Sequence, residues 1–332
     1  MPVAAARRAA LAAVVAVCCW GTGAALPSAL AAQRVVERHP WNDADGRLMG
    51  YYSAALAFSP AAAPEPAPRA YALRLGLELS LIPPLSEENR TGGFSKTEST
   101  NLAPVLPRPR ASLTLPGGVV AEGSWVPPVH LFAVTANLGA LALSRTIAGV
   151  GPLSLTPRLA LSAGTVTGAV TCNHDLFDRG GGDSLYFEKV CHGRESRDQF
   201  RPRAASLELT AAPRASGGTW WGGRLRPYAG AGVRAERTRF DVGVRGYDGS
   251  LDPSYPSVEL RVTRGYGFAG ATWLAGGSAD GATGRGSAWR DALRLRAMRF
   301  SAELFYAPGS LVTVRTQGSL PLSLGSAAPE TR

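Results

Sequence analysis

The sequence predicts an all-β fold, an antiparallel β-barrel of about 10 strands, with a range of about 8 to 12. Three observations predict it. Apolar and polar residues alternate over many short segments, and this is the period of a strand. The connections between these segments alternate between short turns and long polar loops. After residue 32, no apolar stretch reaches the roughly 18 residues that a membrane-spanning helix needs; the longest runs from Val129 to Leu143.

Each strand is predicted by its own alternation. In the first, residues 71–81, the odd positions are Tyr71 and leucines, whereas Arg74 and Glu78 lie on the opposite face. The segments 153–165 and 224–236 repeat this pattern clearly. Weaker copies follow at 107–115, 118–126, 201–212, 257–273, 293–306 and 310–322.

The lengths of the connections indicate which solvent surrounds the barrel. Short connections follow Leu113 and occupy 146–152 and 213–223, whereas 82–106, 172–200 and 237–256 are long and polar. Short turns at one end and long loops at the other are typical of barrels that span a bacterial outer membrane. We therefore expect the leucines of 71–81 to face lipid, with short periplasmic turns and long extracellular loops. A soluble barrel or sandwich is the alternative.

Two strands resemble those of a known class. On "RPYAGAGV" (226–233) and "RFSAELFYAPG" (299–309), the chain resembles bacterial outer-membrane β-barrel proteins as a class, over roughly residues 69–324. The resemblance implies an outer-membrane location, with membrane lipid and the barrel-assembly machinery as partners, and no particular substrate. The chain departs from the class at its end, "SLPLSLGSAAPETR", which lacks the terminal aromatic residue that the machinery reads in many such barrels.

The chain divides into four parts. Residues 1–32 combine a basic start, an apolar stretch and small residues before Gln33, and this pattern predicts a cleaved secretory signal peptide. Residues 33–68 form an N-terminal segment, in which "GYYSAALAFSP" (50–60) is interpreted as one extra strand or as a segment at the periplasmic mouth. The barrel takes residues 69–324, and residues 325–332 are a C-terminal tail.

The chain is basic, with a formal charge of +10. Removal of the signal peptide lowers this to +8, because Arg7 and Arg8 leave with it and no acid does. Nearly all of the positive charge is arginine, since lysine occurs only at Lys96 and Lys189. An arginine excess follows from GC-rich coding, and an exported protein does not meet nucleic acid, so we expect no nucleic-acid partner.

The face opposite the apolar one should line the lumen. Eight strands are just filled by side chains, so ten leave little more room, and arginines and glutamates should pair across the lumen. Glu78 is expected to compensate Arg74 and its neighbours. An arginine turned towards lipid near the membrane centre would cost about 2–4 kcal/mol, and this supports the assignment. The predicted lumen-lining residues are Arg74, Glu78, Glu122, Arg158, Glu208, Arg226, Arg234, Glu236, Glu259, Arg261, Glu303 and Arg315.

Cys172 and Cys191 are the only cysteines after residue 32, and both lie in the long loop 172–200. In an oxidising compartment such a pair predicts a disulfide. Zinc is the alternative, with His174 and His192 as further ligands. Paired zinc ligands are usually two to four residues apart, and these are closer, so no metal site is predicted.

No catalytic site and no cofactor are predicted. "GYGFAG" (265–270) matches the dinucleotide-binding fingerprint, but no helix is signalled after it. The histidines His39, His130, His174 and His192 lie outside any nucleophile motif. "WVPPV" before His130 is interpreted as a tight proline turn.

The two "RPR" motifs, 108–110 and 201–203, lie where a strand leaves a long loop. Their arginines are expected either to bind lipid phosphates or to be solvated at the surface. Taken together, these features predict a barrel with a narrow, ion-paired lumen that is a conduit for small solutes. The alternative is a structural or adhesive barrel that acts through its extracellular loops, and a third hypothesis is an outer-membrane enzyme.

Overall fold

The computed structural model describes residues 35–65, 71–85, 104–147, 151–173, 188–214, 219–220, 223–252, 255–275, 298–309 and 311–322. These residues belong to one compact unit, Val35–Arg332. The predicted signal peptide (1–32) and the C-terminal tail (325–332) lie outside the described residues.

Twelve strands and one helix are described. In chain order they are β1 (Val36–His39), α1 (Ala44–Ala55), β2 (Leu73–Leu81), β3 (Val105–Thr114), β4 (Val119–Leu131), β5 (Val134–Arg145), β6 (Leu153–Gly168), β7 (Asp198–Pro213), β8 (Thr219–Trp220), β9 (Gly223–Asp241), β10 (Ser257–Ala275), β11 (Arg299–Ala307) and β12 (Leu311–Leu322).

Ten of these strands close into an antiparallel ring. Strands β2 to β7 pair in sequence, β7 pairs with β9, and β9 to β12 continue the sequence. The ring closes where β12 pairs with β2, with Arg315 opposite Ser80. The prediction of a closed antiparallel barrel of about ten strands is confirmed. Among the residues that the structure describes, no helix is both long and apolar enough to traverse a lipid bilayer.

The two ends of the ring differ. We call the end that contains the hairpin 115–118 the short-turn end, and the end where β6 stops at Gly168 and β7 starts at Asp198 the long-loop end. One predicted turn is misplaced. β4 continues through Pro127 and Pro128 to Leu131, with a shift in register between Val126 and Val129, so the prolines lie at a bulge and the turn follows at Phe132. A bulge accommodates residues that cannot donate to the ladder.

The outer wall carries the apolar face. Leu77 is about half exposed, whereas its neighbour Glu78 is completely buried, so the leucines of β2 point outwards. The other strands alternate in the same way over most of their length, with the start of β10 as an exception. Exposed apolar residues of this wall are Leu75, Leu77, Leu79, Leu81, Leu141, Leu143, Leu159, Leu161, Leu207, Leu209, Val233, Leu304, Val312 and Val314.

The N-terminal segment differs from both interpretations made for residues 50–60. β1 pairs in parallel with the start of β10, outside the ring. The chain then enters the lumen as helix α1 rather than as a strand. Asp43 caps the helix, because its side chain accepts a hydrogen bond from Gly46 N at 2.6 Å. Strands of the ring already bond to two neighbours, so a segment inside it satisfies its backbone best as a helix.

A plugged lumen as the candidate functional site

Residues 41–65, which we call the plug, fill the lumen. Its helix places Tyr51, Ala54 and Ala55 in an apolar cluster with wall aromatics that include Tyr266 and Phe305. Nearer the long-loop end, Met49 packs against Phe200, Val258 and Leu260. After the helix, the chain continues as an irregular segment to Glu65, beside the start of β2 at the short-turn end. The plug therefore traverses the barrel from the long-loop end to the short-turn end.

Three wall arginines hold the middle of the plug. Arg108, Arg110 and Arg158, which we call the arginine clamp, lie 5.7, 4.3 and 4.7 Å from the centre of the Phe58 ring. Cations at these distances from an aromatic face are attracted to it, most strongly when water is excluded. The same guanidinium groups donate hydrogen bonds to four successive plug carbonyls, those of residues 56–59, at 2.9–3.1 Å. The clamp thus recognises both one aromatic ring and the backbone around it.

Carboxylates on neighbouring strands neutralise the clamp. Glu78 lies 2.6 Å from Arg110 and 3.6 Å from Arg108. Glu122 bridges Arg110 and Arg158 at 2.9 and 3.3 Å, and Glu208 lies 2.8 Å from Arg158. Buried charges are tolerated when they are paired and hydrogen-bonded in this way.

A second anchor lies on β11 and β12. Glu303 accepts hydrogen bonds from the Ser59 hydroxyl and, at 3.1 Å, from the Ala61 backbone N–H. Arg315, which is fully buried, donates to the same Ser59 hydroxyl and stacks on Phe305 at 4.1 Å. The wall therefore binds a hydroxyl group and a backbone N–H of the plug as well as its carbonyls.

Both ends of the plug are also fixed. Arg264 donates to the Gly50 carbonyl at 2.7 Å and lies 4.8 Å from the ring of Trp41. Gly50 is needed here, since a Cβ atom would approach the Trp41 ring to 2.3 Å. At the short-turn end, Glu65 forms ion pairs with Arg74, at 3.2 Å, and with Arg299.

A polar cavity remains beside the part of the plug that is nearest the short-turn end. Its volume is about 110 Å³, and hydroxyl groups of Ser112, Thr114, Thr146 and Thr156 lie along it. A polar space of this size holds a few water molecules. The lumen is therefore closed by the plug and yet keeps, at the short-turn end, a polar pocket that is large enough for water.

Most of the predicted lumen residues lie inside the barrel. Arg74 and Glu122 are half buried and border the polar cavity. Arg74 pairs with Glu65 of the plug, and Glu78 with the clamp, so the expected compensation of Arg74 by Glu78 is wrong. The remaining inward residues are buried: Glu78, Arg158, Glu208, Arg226, Arg234, Glu236, Glu303 and Arg315.

The predicted inward orientation of Glu259 and Arg261 is wrong. Arg261 is exposed on the outer face and donates to Glu259, which also pairs with the exposed Arg237. The physical reason is the plug. Because helix α1 presents Met49 to the wall at this height, Val258 and Leu260 of β10 point inwards and their charged neighbours point outwards.

The clamp residues Arg108 and Arg110 were not predicted to line the lumen. The first "RPR" motif was expected at the surface, but both arginines are buried. Their signal was present in the sequence, since they share a face with Ser112 and Thr114, opposite Ala111 and Leu113. The second motif differs, because Arg201 and Arg203 are exposed.

The predicted disulfide is confirmed, because Cys172 and Cys191 are covalently joined. With both thiols used in this bond, the zinc alternative loses two of its four ligands. His174 lies outside the described residues. Within the part of the chain that the structure describes, no group of three or more His, Cys, Asp or Glu could hold a metal ion.

No protein-family model matches the chain, and no curated protein matches it. Similar solved structures include two proteins of Pseudomonas aeruginosa. OccK11 (OpdR) is 11% identical over 76% of this chain and 66% of its own, with a TM-score of 0.18. OccK5 (OpdH) is 11% identical over 74% of this chain and 63% of its own, with a TM-score of 0.17. The chain thus spans less than two thirds of each of them.

The similarity concerns the fold alone. With its closed antiparallel ring, the chain resembles bacterial outer-membrane β-barrel proteins as a class.

Proposed function

We propose that the protein is an outer-membrane barrel that conducts small solutes and is held closed by its own plug. The observation that supports this best is the composition of the contact between plug and wall. The clamp binds plug carbonyls, and Glu303 binds a plug N–H, so the middle of the plug is held largely by polar groups that water can replace. Polar contacts of this kind can separate and re-form.

The size of the lumen also supports a conduit. The wall leaves room for a helix, which with its side chains is about 10–12 Å across. Departure of the plug would therefore leave an opening wide enough for small hydrated solutes, lined by arginines and glutamates. The outer wall supports a membrane location, since its leucines are exposed and Phe300 contacts Trp273 near the short-turn end, at 5.8 Å between ring centres. Aromatic residues commonly flank the apolar band of such barrels.

The alternative is a structural or adhesive barrel that acts through its long loops. The closed lumen favours this alternative, because a permanently filled barrel carries nothing. Conduction after removal of the plug separates the two functions. Neither function assigns a cofactor or a catalytic residue.

Single-channel conductance in planar bilayers tests the proposal. We expect the wild-type protein to be closed with brief openings, and a variant that lacks residues 36–65 to conduct steadily. Phe58→Arg places a fourth guanidinium among three and should lengthen the openings without removing any chain. Val35→Arg adds the same charge at an exposed position and should behave as wild type.

Heat-modifiable gel mobility shows whether each variant contains the barrel. A folded deletion variant that conducts no more than wild type, together with unchanged openings in Phe58→Arg, would reject the conduit and favour the structural alternative.

A further inference from the structure

The outer wall carries a cluster of arginines near the long-loop end. Arg203 on β7 lies directly opposite Arg237 on β9, which lies directly opposite Arg261 on β10. In the next row, Arg201 lies opposite Arg239, and Arg239 opposite Glu259, which is paired with Arg38 of β1. We call these six arginines the arginine patch: Arg38, Arg201, Arg203, Arg237, Arg239 and Arg261.

Among the described residues, the patch has more arginines than carboxylates. Glu259 pairs with Arg38, Arg237 and Arg261, and Asp241 with Arg201 and Arg239. Among the residues that the structure describes, two carboxylates therefore pair with five of the six guanidinium groups. Like charges directly opposite on neighbouring strands are unfavourable. Glu259 lies between Arg237 and Arg261, whereas no carboxylate of the described residues pairs with Arg203, so a further anion at this row would stabilise the sheet.

The height of the patch suggests which anion this is. On β9 the outward positions from Leu225 to Ala235 are uncharged, and Arg237 and Arg239 follow at once. From Leu225 to Arg237 the strand rises roughly 40 Å, which is about 28 Å of height for a strand tilted by about 45°. The apolar band of an outer-membrane barrel is about 25 Å tall. The patch thus lies where lipid headgroups would meet the wall.

We propose that the arginine patch is a binding site for the phosphate groups of a membrane lipid. Guanidinium groups bind phosphate through paired N–H donors, and a row of three can hold a headgroup that carries more than one phosphate. β1 contributes Arg38, so the strand outside the ring completes the site. This inference rests on the membrane location in the proposed function.

Thermal unfolding of the full protein in phosphatidylcholine bicelles tests the proposal. Lipid A, which carries two phosphates, is added in increasing mole fraction. In parallel samples, pyrophosphate in the buffer supplies phosphate groups without a lipid. The triple variant Arg203→Gln, Arg237→Gln and Arg261→Gln removes the row. The matched control, Arg145→Gln, Arg214→Gln and Arg224→Gln, removes three exposed arginines at the short-turn end.

We expect lipid A to raise the Tm of the wild type and of the control at similar mole fractions. The row variant should need about tenfold more lipid A for the same rise, or show none. An equal response of row variant and control would overturn the proposal, as would a rise produced equally by pyrophosphate. If the protein enters bicelles but lipid A does not change its Tm, only the proposed lipid site is refuted. If the protein fails to enter bicelles, the membrane location is refuted as well.

Discussion

At the scale of residues, the closed state depends on charges that are buried in pairs. Glu78 is fully buried and is the carboxylate that lies between Arg108 and Arg110. Its oxygen also accepts a hydrogen bond from Ser80 at 2.9 Å. Removal of one partner from such a group leaves an uncompensated charge, and that is costlier than replacement of the whole group by apolar residues.

Glu78→Gln should therefore lower the free energy of unfolding by about 3–5 kcal/mol, less if water enters. The control Glu37→Gln changes an exposed carboxylate and should cost less than about 1 kcal/mol. Denaturant unfolding in detergent, followed by gel mobility, measures both. Equal stability of the two variants would mean that the lumen is an open aqueous channel in which the charges are solvated.

The sequence predicted the charged lining but not its partners. Alternation within a strand fixes which face a residue occupies, and Glu303 and Arg315, which were predicted on this basis to line the lumen, are fully buried. Partners come from strands and plug residues far apart in the chain, as in the contact between Ser59 and Glu303, which are 244 residues apart. Alternation carries no information about such contacts. Arg108 and Arg110 were assigned to the surface because their "RPR" motif follows a long loop, although alternation places them on the polar face of β3.

At the scale of elements, the ring was predictable and the helix inside it was not. Each strand has a period that can be read locally. Residues 50–60 contain alternating apolar residues as well, but their conformation depends on whether a ring edge is free to pair with them. The helix nevertheless begins with a local signal, since Asp43 precedes it and caps it.

Asp43→Ala should weaken the start of α1 by about 1 kcal/mol, because the N–H of Gly46 loses its acceptor. Hydrogen exchange of the peptide that covers residues 44–55 should then be about fivefold faster. Asp43→Asn keeps an acceptor at the same place and should exchange at nearly the wild-type rate. Faster exchange in Asp43→Asn as well would assign the effect to the contact between Asp43 and His39, 2.7 Å apart, and contradict the capping role.

At the scale of the whole molecule, the plug and the ring are one continuous chain with a defined direction. Ser257 donates to the carbonyl of Val35 at 2.9 Å at the long-loop end, and Thr146 donates to the carbonyl of Glu65 at 2.8 Å at the other. Helix α1 and the clamp lie between these points. The first strand of the ring therefore starts at the short-turn end, after the chain has passed through the lumen.

The central claim is that the plug lies inside the folded barrel, and maleimide labelling of single cysteines tests it most directly. The protein is used without residues 1–32, which contain Cys18 and Cys19. Cys172 and Cys191 are bonded to each other and give no background without reductant. Ala54→Cys lies on the buried face of α1, 1% exposed, and Val35→Cys lies just before β1, 69% exposed. In the folded protein we predict rapid labelling at position 35 and far slower labelling at position 54, which becomes rapid once the barrel is denatured. Labelling of position 54 as fast as position 35, in a barrel that is still heat-modifiable, would contradict a plugged lumen.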